Sequence, residues 1–141
     1  MFEKIIWATD GSDAADRALS YALKLAESNG SSVVAVHCNE HIIGGKAKGQ
    51  PVLADEEELQ AKIAHQVHEL KEKGVDASLV VIDERSPGAA HSIADHAEKV
   101  KADAIVVGTR GHSTVAGLLV GSVTHRLLHI APCPLIVVPE K

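Results

Sequence analysis

The residues best suited to chemistry lie between positions 108 and 123. Gly108, two residues, Gly111, nine residues and then Gly121-Ser122 form one spaced pattern. It follows the apolar run "ADAIVVG" and leads into "SVTHRLLHI", whose apolar residues recur at helical intervals. Glycines at the carboxyl end of a strand let main-chain N–H groups approach a ligand without hindrance from a Cβ. Gly121, Ser122 and Val123 would present unpaired N–H groups at the positive end of a helix dipole, a site for an anion and above all for phosphate. Ser113, Thr114 and Ser122 add hydroxyls, and Arg110 and His112 add charge or further donors. The same glycines would also serve a plain turn at Gly108 and Gly111 and a close helix approach at Gly121. His112 would either hydrogen-bond a ligand or point to solvent.

A second element converges on the same place. The stretch "WATDGS" puts Asp10 at the carboxyl end of the first strand. Its carboxylate can accept hydrogen bonds from ribose hydroxyls or approach a phosphate-bound cation, or it can simply stabilise the turn before the first helix. Two familiar phosphate signatures are excluded. "GGKAKG" (Gly44–Gly49) lacks the spacing and the following Ser or Thr of a P-loop, and no dinucleotide fingerprint follows the first strand. His125 and His129, and His65 and His68, sit about one turn apart, but no cysteine or carboxylate completes a metal set, so no built-in metal site is expected. Cys38 and Cys133 read as small hydrophobes beside apolar runs. Glu56-Glu57-Glu58 reads as a negative first helical turn.

The elements that must position these residues alternate. Apolar runs at Lys4–Thr9, Ser31–Cys38, Ala77–Asp83, Ala102–Gly108 and Pro134–Pro139 predict strands covered on both faces. Between them lie four helical patterns. The first has its inner stripe at Ala15, Ala18, Leu19, Ala22 and Ala26, a cap at Ser12 and a stop at Gly30. The second runs from about Asp55 to Lys73 with Leu59, Ile63, Val67 and Leu70 inside, ending at Gly74. The third is announced by Ser86-Pro87 and buries Ala90, Ile93, Ala94 and Ala97. The fourth starts near Gly121-Ser122, uses Val123, Leu127 and Ile130, and stops at Pro132. This order implies a mostly parallel α/β sheet with helices on both faces and a ligand at the carboxyl ends of the strands. The connection Asn39–Ala54 is long for such a fold.

Composition narrows the class. A chain of 141 residues, 45% hydrophobic and 23% charged, is the size of one domain that buries its own core. We expect a single domain over residues 1–141. A net charge of -5 argues against a general nucleic-acid binder. Phe2, Trp7 and Tyr21 are too few aromatics for base-stacking platforms, and a core of Ala, Val, Leu and Ile must pack helices closely on the sheet. No leader peptide or membrane span is expected, and a reduced cytoplasmic setting fits the two separated cysteines.

Over essentially its whole length the chain resembles the universal stress protein family, of the small single-domain type. The resemblance rests on "ATDGS" after the first strand, on the Gly108–Ser122 spacing and on the ending "APCPLIVVP". It implies a five-stranded parallel sheet in the order 3-2-1-4-5, the adenine nucleotide alpha hydrolase-like arrangement, and ATP binding. It places phosphate contacts on Gly111, Gly121, Ser122 and Val123, and ribose-side contacts on Asp10 and Gly108. The adenine edge would meet the backbone near Val36–Cys38, with Ala8 and Thr9 lining the base or sugar. Mg²⁺ would accompany the phosphates. The last strand, Leu135 to Val138, would lie at an edge and pair with its copy in a homodimer. The function implied is a stress-response regulator whose ATP occupancy orders Asn39–Ala54 and the glycine loop. The alternatives are a slow ATPase, with Asp10 and His112 as the candidates to test, and a cyclic AMP binder using the same pocket.

Overall fold

Nine elements alternate along the chain, as the apolar runs predict. In the computed structural model, which describes residues 2–40, 52–84, 88–109 and 121–139, they are β1 (Lys4–Ala8), α1 (Asp13–Asn29), β2 (Ser32–Glu40), α2 (Val52–Glu72), β3 (Ala77–Glu84), α3 (Ala89–Val100), β4 (Ala104–Gly108), α4 (Ser122–Ile130) and β5 (Leu135–Val138). The five strands form one parallel sheet in the order β3-β2-β1-β4-β5. β4 is buried from end to end and β1 from Ile5 to Ala8, which is why they read as continuous apolar runs.

Strand parity sends alternate side chains to two cores. Ile5, Trp7, Val33 and Ala35 meet α1 and α2, whereas Ile6, Ala8, Val36 and Ile105 meet α3 and α4. α1 contributes an alanine face, Ala14, Ala15, Ala18, Ala22 and Ala26, and therefore lies close to the sheet. A Cβ built on Gly108 would stand 2.8 Å from the main-chain oxygen of Ala14. Trp7 is fully buried beneath the same helix, and its indole N–H donates to the oxygen of Ala15 at 2.9 Å. That bond removes the cost of burying an unpaired donor.

Helix ends follow local chemistry where the signal is local. The Ser12 hydroxyl accepts from the Ala15 N–H, and Gly30 closes α1 at φ 68°. Three boundaries differ from expectation. β2 continues to Glu40 and α2 begins at Val52, so the connection is shorter than Asn39–Ala54. The residues of that connection from 41 to 51 lie outside the described residues. α3 begins at Ala89 with Gly88 as its N-cap at φ 128°, not at Ser86-Pro87, which also lie outside them. The inner face of α3 is the expected Ala90, Ile93, Ala94 and Ala97. In α4, Leu127 is fully buried, Val123 and Ile130 only partly, and Thr124 is an unanticipated buried polar residue.

Candidate functional site

β1 and β4 are neighbours, yet the chain leaves them toward opposite faces: α1 packs on one side of the sheet and α4 on the other. The carboxyl ends of β1 and β4 are therefore a topological switch point, the place where open parallel sheets bind ligands. β2 flanks it. Pairing of β2 with β1 ends at Ala8↔Val36, while pairing with β3 runs on to Glu40↔Glu84.

On the β1 side the switch point is bordered by the turn Thr9–Ser12. Thr9 continues the ladder by donating its N–H to Val36 O at 3.0 Å, and its hydroxyl accepts from the Gly11 N–H at 3.0 Å. Asp10 Oδ1 accepts from the Ser12 N–H at 3.0 Å. Gly11 holds φ 82°, a left-handed conformation that L side chains rarely adopt, and Leu59 of α2 occupies the space a Cβ would need. The turn ends in a capped helix whose first turn already carries Asp13 and Asp16. The positive end of α1 is therefore spoken for.

The start of α4 differs. It has no side-chain cap and no acidic residue in its first turn. Gly121 donates its own N–H to Thr109 O at 2.5 Å and accepts from the His125 N–H at 2.8 Å. No acceptor among the described residues meets the N–H groups of Ser122, Val123 and Thr124. Ser122 is exposed. The Thr124 hydroxyl donates to Gly108 O at 2.7 Å in a buried bond and pins the helix to the end of β4. Three orphan amides at the positive end of a helix, over a sheet terminus, are suited to an anion with several oxygens.

The structure thus sorts the residues singled out by sequence. Thr9, Asp10, Cys38, Gly108, Gly121, Ser122 and Val123 all lie toward the carboxyl end of the sheet. Arg110, Gly111 and His112, with Ser113 and Thr114, lie outside the described residues. One expectation needs correction, that of a free Gly121 amide, and two further residues have structural roles of their own. The Gly121 amide is not available to a ligand because Thr109 takes it; among the described residues the third donor without an acceptor is Thr124. The Val36 oxygen already accepts from Thr9, and its side chain, like that of Ala8, is buried in the α3/α4 core. Gly108 lacks a side chain because α1 runs against it.

A buried pair went unrecognised. His37 of β2 is 3% exposed; its Nδ1 lies 3.0 Å from Thr9 O and its Nε2 2.6 Å from Glu56 Oε2. Glu56 also accepts from Gln60 Nε2 at 2.8 Å. Because α2 begins at Val52, Glu56 belongs to the second turn and faces the sheet, while Glu57 and Glu58 are exposed. A signal existed in parity: His37 shares the inward face of Val33 and Ala35, so a buried imidazole needing partners follows from β2 alone. Among the described residues no group of three His, Cys, Asp or Glu side chains is placed to hold a metal ion. No described helix is long and apolar enough to cross a membrane.

Comparison with known proteins agrees with this architecture. The model of the universal stress protein family matches residues 1–139. A universal stress protein of Methanocaldococcus jannaschii is 32% identical over 146 residues, covering 100% of this chain and 85% of its own. The universal stress protein of Archaeoglobus fulgidus in complex with dAMP superposes with a TM-score of 0.70 at 24% identity, covering 97% of both chains. A universal stress protein in complex with cAMP gives 0.65 at 23%, covering 99% of this chain and 98% of its own. With the sheet order and the family match over nearly every residue in agreement, the chain belongs to the universal stress protein family.

Proposed function

We propose that this chain is an ATP-binding regulatory protein of the stress response, with the nucleotide at the carboxyl ends of β1 and β4. The observation that carries this reading is the set of N–H groups at Ser122, Val123 and Thr124 that meet no acceptor among the described residues, at the same end of the sheet as the Asp10 turn. The amides suit a phosphate chain and Asp10 suits the ribose. The adenine would lie toward Cys38, where β2 outruns β1. Mg²⁺ would arrive with the phosphates and keep most of its ligands as phosphate oxygens and water. We assign no hydrolytic residue. Relatives of the same fold in complex with dAMP and cAMP support an adenine nucleotide here, and the cAMP complex keeps that ligand as a second reading. We also propose a homodimer through the edge of β5, which pairs only with β4 among the described residues. A cytoplasmic location suits two cysteines that are not in a disulfide.

Ser122→Pro tests the phosphate site. It deletes one amide at the first helical position, where proline is tolerated, and Gly121 already holds the extended ψ of 162° that a following proline requires. Calorimetric titration should show ATP weakened about 10- to 100-fold, the worth of a charge-assisted hydrogen bond, with adenosine unchanged. ATP affinity equal in variant and wild type, or no heat from ATP with the wild type, would refute the assignment. Tighter binding of cAMP than ATP by the wild type would select the second reading. A monomer in sedimentation at tens of micromolar would reject the dimer.

A further inference from the structure

The two ring nitrogens of His37 both face oxygen. Thr9 O can only accept, so Nδ1 carries a hydrogen and donates it across 3.0 Å. A neutral imidazole has then no hydrogen left for Nε2, and an ionised carboxylate has none either. Yet Nε2 and Glu56 Oε2 approach to 2.6 Å. Two bare acceptors at that distance repel, so the pair holds one further proton. It is either imidazolium against carboxylate or imidazole against carboxylic acid, and neutral overall in both forms.

This pair belongs to a larger clamp. The main-chain oxygens on either side of Asp10 are both held by hydrogen bonds: that of Thr9 from the His37 ring, itself bonded to Glu56, and that of Gly11 from Lys62 Nζ at 2.9 Å. Between them Leu59 fills the space beside Gly11. Glu56, Leu59 and Lys62 recur at three-residue steps on one face of α2. We propose that His37 and Glu56 are positioning residues for Asp10, and that the proton they share holds the Thr9–Ser12 turn in its nucleotide-receptive shape. The inference rests on the nucleotide reading for its functional consequence, though the clamp exists without ligand.

The neighbouring side chains are engaged elsewhere. On α2, Lys62 is paired with Asp16 of α1 at 2.9 Å, and Gln66 donates to the same carboxylate at 3.0 Å. Asp10 accepts from Ser12. On β3, Val81 lies in register with His37, and the exposed Asp83 follows two residues on. Removing the Glu56 carboxyl takes away the partner of Nε2, leaves the ring held at one nitrogen only, and weakens the restraint on Thr9 O.

The test compares wild type, Glu56→Ala and Glu56→Gln by two readouts. Exchange protection factors of the Gly11 and Ser12 amides are measured without ligand, and ATP affinity by calorimetry. Glu56→Ala leaves Nε2 without its partner, so protection and affinity should both fall, affinity by about tenfold. In Glu56→Gln the substituted side-chain amide can bond Nε2, and both readouts should return to near the wild-type values. Protection and affinity unchanged in Glu56→Ala, or lowered equally in the two variants, overturns the proposal. If Glu56→Ala does not fold, the ring ¹⁵N shifts of wild type decide: an Nε2 without a hydrogen-bond partner is the overturning result. Absence of ATP binding by wild type would reject the nucleotide reading and leave the clamp to be judged on protection alone.

Discussion

Gly108→Ala separates two reasons for a glycine at the end of β4. If Gly108 exists to admit a ligand, an alanine there spares the ligand-free protein and harms only binding. The geometry says otherwise. The new Cβ would lie 2.8 Å from the oxygen, 2.9 Å from the carbonyl carbon and 3.0 Å from the Cβ of Ala14. Ordinary contacts begin near 3.4 Å, so α1 must retreat by about 0.6 Å. These are mostly main-chain atoms, and no rotamer change relieves them. The retreat would loosen the alanine face of α1 over Trp7 and the Trp7–Ala15 hydrogen bond with it. Overpacking of this kind costs about 1–3 kcal/mol. For a chain of this length each kcal/mol lowers Tm by about 3 °C, so calorimetric melts without nucleotide should fall by about 3–9 °C. An unchanged Tm together with lost ATP affinity would show that the glycine clears a ligand and not a helix, and would refute the packing argument.

Three further outcomes are expected. Thr124→Val removes the buried hydroxyl that donates to Gly108 O and should destabilise the fold by about 1–2 kcal/mol in urea unfolding; a change under about 0.3 kcal/mol would mean that the pin between β4 and α4 is idle. Asp103 accepts from the Lys4 and Glu3 amides, which hold its carboxyl below the ordinary value. A lowered folded pKa contributes stability above the unfolded value and loses it as pH falls, so the gap between wild type and Asp103→Ala should be full above about pH 5 and shrink below about pH 4. A gap as wide at pH 3 as at pH 7 would contradict this. Burial, and then Asp103, push the Cys133 thiol up, so its alkylation by iodoacetamide at neutral pH should be slower than that of free cysteine; a faster reaction would show a thiolate that the fold does not predict.

Much of the architecture was legible because its causes are local. Strand runs, the Ser12 cap, the Gly30 stop and the inner face of α3 each follow from residues within a few positions of one another. The approach of β4 to α1 was foreshadowed by a core with few aromatics, though not at Gly108 itself. Boundaries failed where a non-local contact decided them. β2 runs to Glu40 because β3 pairs with it that far, and α2 starts early enough to turn Glu56 inward.

The amino-acid sequence by itself determined the alternation of elements, the parity of each strand and the glycine-rich passage from β4 to α4. Those depend on side-chain period and backbone sterics, which any short segment carries within it. Only the tertiary structure decided that Thr109 takes the Gly121 amide and that the Thr124 amide meets no acceptor among the described residues. It alone brought His37 and Glu56, 19 residues apart, to 2.6 Å beneath the Asp10 turn. Periodicity states which face of a strand or helix is buried. Which group waits on the other side is set by how the layers stack, and there the shared proton is held.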